Sequence, residues 1–138
     1  YSLIDGGVFA NNPALIAYIE ARKLFPRARR FTIVSMGTGI LDRPYSYEDV
    51  CRWGYIDWMS SIRGTPLLDM MMDGQNDNAL YMLRRLPGVE LHRFDFHLER
   101  GHTFMDDTSE ENYEFLTAQG NRLLGQHAGQ LQDIAGTL

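Results

Sequence analysis

One aspartate stands where chemistry is easiest to arrange. It lies in Leu3-Ile4-Asp5-Gly6-Gly7-Val8-Phe9-Ala10-Asn11-Asn12-Pro13, between an apolar run and two glycines. Asp-Gly is a common turn pair, since glycine takes positive φ without steric cost. A carboxylate at the end of a buried strand can also act as a general base. Asn11 and Asn12 are placed to orient this loop by hydrogen bonds. Asn12 before Pro13 is equally a helix cap followed by proline in the first turn. Gly37-Thr38-Gly39 either cradles an anion or simply turns the chain at a strand end, and no helix begins there to favour the anion. His92, His97 and His102 stand five apart, a spacing that throws strand neighbours to opposite faces and argues against a shared metal. Asp106 and Asp107 read as loop and capping groups.

The elements that must position these residues follow from patterning. Tyr1 to Ile4 reads as the end of a buried strand, and Asp5-Gly6-Gly7 as a turn. Leu15, Ile16, Tyr18 and Ile19 give a helix an apolar face through to Phe25, where Pro26 stops it. Phe31 to Met36 is β-rich and mostly apolar, as expected of an interior parallel strand. Strand, helix and strand make one βαβ unit. Helices are expected over 47–62 and 66–86, divided at Gly64, with Pro87-Gly88 ending the second. Val89 to Leu98 alternates apolar and polar residues, which predicts a strand with one wetter face. Thr108 with Glu111 fits a capping box, and Ser109 competes as N-cap. Tyr113, Leu116, Leu123, Leu124 and His127 recur at helical spacing, and the tail beyond Gly129 is expected to fray.

The 138 residues suit a single domain, with 44% hydrophobic and 22% charged residues, so disorder is excluded. A net charge of -5 with no basic run argues against nucleic acid. Cys51 stands alone, so no internal disulfide forms; it reads as a small buried hydrophobe in a reducing compartment. No apolar run is long enough to span a membrane, and no signal peptide is legible. Tyr1 is no initiating methionine, and the chain reads as a piece of a longer protein.

Asp5-Gly6-Gly7 followed by Asn11-Asn12-Pro13 resembles the second half of a patatin-like phospholipase. Ser35-Met36-Gly37-Thr38-Gly39 resembles that family's glycine-ended strand. Trp53-Gly54, Trp58 and Leu67 through Gly74 resemble its helical middle, and Met105 through Asn112 the start of its last helix. The resemblance implies an α/β chain: the C-terminal part of a three-layer α/β/α fold with a mostly parallel sheet, residues 1–138 being the C-terminal portion of one catalytic domain. It implies a lipid acyl hydrolase of phospholipase A or lysophospholipase type, working through a Ser-Asp dyad without metal or organic cofactor. Asp5 would be the base, supported by Gly6, Gly7, Asn11 and Asn12. The serine of the G-x-S-x-G elbow and the glycine-rich oxyanion stretch are not in this sequence, so the missing N-terminal half, in the same or a cleaved chain, would supply them.

A serine hydroxyl needs an adjacent base. An aspartate in water has a pKa near about 3.9 and is a poor one, so the aspartate of such a pair should sit in a partly dry, narrow cleft. Met59, Leu67, Leu68, Met70, Met71 and Met72 form a soft apolar band with Trp53 and Trp58. It is either core or a surface for acyl chains, with Trp58, Met59, Leu68 and Met71 as the contacts. The implied partners are a phospholipid or lysolipid, the N-terminal half and a membrane surface touched peripherally. The implied location is cytoplasmic or membrane-peripheral. Two alternatives stand beside the enzyme: a catalytically incomplete piece that regulates or binds lipid or protein, and an acyltransferase on a related fold. A sheet cut after its early strands would leave apolar surface bare, so a large interface to another segment is expected.

Overall fold

A computed structural model of the chain describes residues 3–40, 45–59, 65–99, 102 and 106–137. Pro44, Ile62, Gly64 and Met105, used in the sequence reading, lie outside the described residues, as do Tyr1 and Ser2. The chain is mixed α/β and divides into two compact units, residues 1–35 with 44–92 and residues 36–43 with 93–138.

The first unit begins with a single helical turn, α1 (Gly7–Ala10), then α2 (Ala14–Leu24). Strand β1 (Phe31–Met36) follows, then the short α3 (Tyr47–Val50) and α4 (Tyr55–Met59), the long α5 (Pro66–Leu83) and β2 (Val89–Phe94). β1 and β2 are neighbours in one sheet. Phe31 N–H donates to the Gly88 carbonyl at 2.8 Å, and Gly37 N–H to the Phe94 carbonyl at 2.8 Å, so the strands run parallel. The expected helix at 47–62 is broken, because Gly54 intervenes and its N–H donates to the Asp57 carboxylate at 2.9 Å, starting a fresh helix. Leu3 and Ile4 are not in a strand: they are 89% and 80% exposed, since no described segment pairs with them. Among the described residues the βαβ unit therefore lacks its first strand. Cys51 is exposed rather than buried, sitting at the end of α3.

α5 is the centre of the first unit and touches α1, α2 and α4. Its Asn76, Ala79, Leu80 and Leu83 fall at helical spacing on one face, and Leu83 is fully buried. α2 is less covered: Ala14 is buried, while Ile16, Ile19 and Leu24 remain exposed. Tyr18 meets Phe31 edge to face at 5.4 Å and ties α2 to β1.

The second unit holds α6 (Glu110–Gln126) and α7 (Ala128–Gly136). Ser109 is the N-cap of α6, accepting from Asn112 N–H at 3.2 Å, so it prevails over Thr108. Ser109 N–H donates to Asp107 at 2.9 Å. That bond, with the Ser109 hydroxyl, holds the Asp107 carboxyl below the usual range. Asn112 is buried and its side chain donates to the Asp107 carbonyl at 2.8 Å. The tail does not fray after Gly129: it forms α7, because Ile134 finds a buried position. His127, at the junction of α6 and α7, packs edge to face on the buried Phe94 at 5.2 Å.

Gly37-Thr38-Gly39 is a turn closed from within. The Asp95 carboxylate accepts from Gly39 N–H at 3.2 Å, from Phe96 N–H at 3.0 Å and from the Arg93 guanidinium at 2.5 Å. It fills the space where a side chain on residue 37 would go, and Gly39 has φ +111°. An internal carboxylate thus takes the place an anion would need. A Gly37→Ala variant is expected to lose about 1–3 kcal/mol, the range for forcing atoms into a packed site. Gly120→Ala, in open space within α6, is expected to gain about 0.5–1 kcal/mol from helix propensity. Urea midpoints for the two variants should move in opposite directions; a shift of the same sign in both contradicts this account.

Candidate active site

The Asp5 loop is built by short-range bonds and then held from α5. Asp5 accepts from Gly7 N–H through Oδ1 at 2.6 Å, and its carbonyl accepts from Val8 N–H at 3.3 Å. The Gly6 carbonyl accepts from Phe9 and Ala10 N–H at 3.0 and 2.8 Å, which closes α1. Asp5-Gly6-Gly7 is therefore the entry to a helix and not a positive-φ turn; Gly6 has φ -64°. Gly7 is needed for another reason: a Cβ there would lie 2.8 Å from the Asp5 carboxylate. The aspartate and the second glycine are a steric pair.

Two adjacent side chains of α5 reach this loop. Gln75 accepts from Asn11 N–H at 3.3 Å and donates to the Val8 carbonyl at 3.3 Å. Asn76 accepts from the Asn12 side chain at 2.8 Å. Asn12 is 7% exposed, and its own Oδ1 accepts from Ala14 N–H at 3.1 Å at the start of α2. Pro13 holds the N-cap position of α2, so Asn12, one residue before it, bonds to the first helical residue and ties the loop to α5 at once. Asn11 contributes mainly its backbone. Sequence reasoning missed Gln75 and Asn76. The signal was the polar run Asp73-Gly74-Gln75-Asn76-Asp77-Asn78 inside a helix that is apolar at both ends.

Asp5 itself is exposed. The narrow, dry cleft expected around it is not formed by the described residues of this chain, and Phe9 beside it is 82% exposed. Among the described residues, none supplies Asp5 with a serine hydroxyl partner.

A second feature lies further along α5. Trp58 and Met59 of α4 and Thr65, Leu67, Leu68 and Met71 at the start of α5 line a cavity of about 200 Å³ with almost wholly apolar walls. The four residues read as acyl contacts, Trp58, Met59, Leu68 and Met71, all fall on it. Trp58 is braced edge to face by Trp53 at 5.2 Å, and Trp53 by Tyr45 at 5.2 Å. Thr65, which no sequence signal marked, caps α5 in the left-handed region at φ 52°, just before the fully buried Pro66. Among the described residues no helix is long and apolar enough to cross a membrane.

Curated relatives match 90–99% of the chain. Patatin-like protein 1 of Arabidopsis thaliana is 29% identical over 156 aligned residues, which take in 99% of this chain. The similarity supports a patatin-like family. Patatin-like protein 1 of Oryza sativa subsp. indica is 28% identical over 99% of the chain, and Patatin-04/09 of Solanum tuberosum 29% over 90%. No family model matches. The chain spans 38% of the length of the Arabidopsis and rice patatin-like proteins and 36% of the potato patatin. The recognition made from sequence motifs thus agrees with overall similarity.

Two outcomes test the Asp5 loop and α5. Asn76→Ala strands the buried Asn12 amide and is expected to cost about 1–3 kcal/mol in urea unfolding; an unchanged midpoint contradicts the tie. Asp73 is raised above its ordinary value by partial burial and by Asp69 and Asp77 one turn to either side. A raised carboxyl weakens the fold while charged, and the penalty is lost as pH falls through its folded value towards the unfolded one. Asp73→Asn is therefore expected to raise Tm at pH 7, with the advantage shrinking steadily under acid; a constant advantage at all pH values would show that charge is not the cause.

Proposed function

We propose that the chain is the aspartate-bearing part of a lipid acyl ester hydrolase of phospholipase A or lysophospholipase type. Asp5 is the general base, and a serine outside residues 1–138 is the nucleophile. The observation that carries the reading is Asp5 itself: a carboxylate fixed by a pinned loop, yet exposed and bonded through one oxygen to Gly7. The similarity to patatin-like proteins supports the same assignment.

In the working enzyme the serine-bearing segment covers the apolar residues around Asp5, among them Leu3, Ile4 and Phe9. Covering them removes water from the carboxylate and makes it a better base. The serine Oγ attacks the ester carbonyl as its proton passes to Asp5. Asp5 then returns that proton to the leaving alcohol, and water repeats the sequence on the acyl-enzyme. Backbone amides upstream hold the oxyanion. The geometry of the loop suits this: Gly7 leaves room beside the carboxylate, and Gly6 presents no side chain to an approaching substrate.

Asp5→Ala in the enzyme containing its serine segment is expected to lower kcat/KM on lysophospholipid by about 10²–10⁴-fold, the contribution typical of a general base. Melting temperature should change little, since Asp5 is exposed. A variant that hydrolyses at the wild-type rate would refute the assignment. A variant that stays inactive while a fluorophosphonate probe never labels any serine of the wild type would point instead to a lipid-binding piece.

A further inference from the structure

The Asp5 carboxylate takes its direction from α1. Its Oδ1 accepts from Gly7 N–H at 2.6 Å, and Gly7 is the first residue of that helix. With Oδ1 engaged, Oδ2 is the oxygen left for a further partner. An exposed carboxylate keeps this direction only while Gly7 N–H stays in place. α1 is four residues long, and a single helical turn does not hold its own shape in water. Whatever fixes α1 therefore fixes the carboxylate.

Two backbone groups near the end of α1 show what does so. Among the described residues, no other backbone group bonds to the Val8 carbonyl or the Asn11 N–H. The Gln75 side chain meets both. Its Nε2 donates to the Val8 carbonyl and its Oε1 accepts from Asn11 N–H, each at 3.3 Å. A primary amide suits this task because it carries a donor and an acceptor at one end without charge. Ionised glutamate has the same length but no donor, and asparagine is one methylene short.

We propose that Gln75 is a positioning residue for Asp5: by clamping α1 it keeps Gly7 N–H on Oδ1 and presents Oδ2 to the serine hydroxyl. The inference rests on the general-base reading above. It adds that the rate depends on a side chain of α5 that acts through Val8, Asn11 and Gly7 and makes no bond to Asp5 itself.

The test is steady-state hydrolysis of lysophospholipid by the whole enzyme, its serine segment included. Gln75→Ala is expected to lower kcat about 10–100-fold with KM within about twofold, since a base displaced by about 1 Å loses rate and not substrate binding. Gln75→Glu keeps the acceptor for Asn11 N–H and loses the donor to Val8, so its kcat should fall between wild type and Gln75→Ala. In an Asp5→Ala background, Gln75→Ala should lower the residual rate no further, because the side chain acts only through Asp5. An equal fold-loss with and without Asp5 would mean that Gln75 merely supports the fold, and would overturn the proposal. So would wild-type kcat in Gln75→Glu, or a loss confined to KM. Should Gln75→Ala fail to fold, Gln75→Glu carries the same comparison in both backgrounds. If Asp5→Ala alone hydrolyses at the wild-type rate, the general-base assignment fails and the clamp's role falls with it. If Asp5→Ala is slow while the Gln75 variants are fast, only the clamp fails.

Discussion

Helix α5 carries two adjacent amides, Gln75 and Asn76, on a half-buried face, and an amide there must find partners or weaken the fold. The partners it finds are not on α5. Gln75 takes the backbone between Val8 and Asn11, and Asn76 takes the side chain of Asn12. Neighbouring residues on a helix point about 100° apart, so the pair holds two segments at once: the loop after Asp5 and the first turn of α2. Each bond is worth little net, but each unmade bond would cost more than its formation brings. The position of the Asp5 loop is thereby made a property of α5. α5 is fixed in turn by Ala79, Leu80 and the fully enclosed Leu83.

Two aspartates show how environment divides labour. Asp95 is saturated by an arginine and two backbone amides, and it is packed where Gly37 has no side chain. Such a carboxylate is a fastener: moving it breaks several charge-assisted bonds together. Asp5 is joined to Gly7 and otherwise faces outward. Both crowd the place of a glycine's missing Cβ, but Asp95 is held there by its bonds, whereas the exposed Asp5 carboxylate can swing away.

Much of this was legible in the sequence wherever local rules acted alone. β1 matched Phe31 to Met36 residue for residue, because a run of β-branched and aromatic residues has few alternatives. α2 ended before Pro26, as its type demands, while Pro13 rather than Asn12 took the N-cap position and Asn12 bonded to Ala14 N–H from one residue further back. The four acyl-contact candidates line one cavity because they fall on α4 and the first turns of α5. What failed depended on distant partners. Leu3 and Ile4 have the composition of a strand, but a strand exists only where another pairs with it. Gln75 and Asn76 went unmarked because the loop they hold lies more than sixty residues away in the chain. The segment beyond Gly129, rich in Gly and Gln, was expected to fray, yet Ile134 anchors it as α7. α5 begins at Pro66 as expected, but the left-handed backbone of Thr65 before it could not be foreseen, since a β-branched residue before proline is a poor candidate for that conformation.

That left-handed threonine has an evolutionary corollary. Thr65 holds an uncommon backbone conformation at the edge of the cavity, and the enclosed Pro66 next to it keeps the chain from relaxing. Thr65 and Trp58 line the cavity beside leucine and methionine side chains that exchange easily among themselves. Drift in those walls can retune what fits without disturbing Gln75 a turn away. Descendants of such a scaffold could vary the cavity while inheriting the Asp5 loop unchanged.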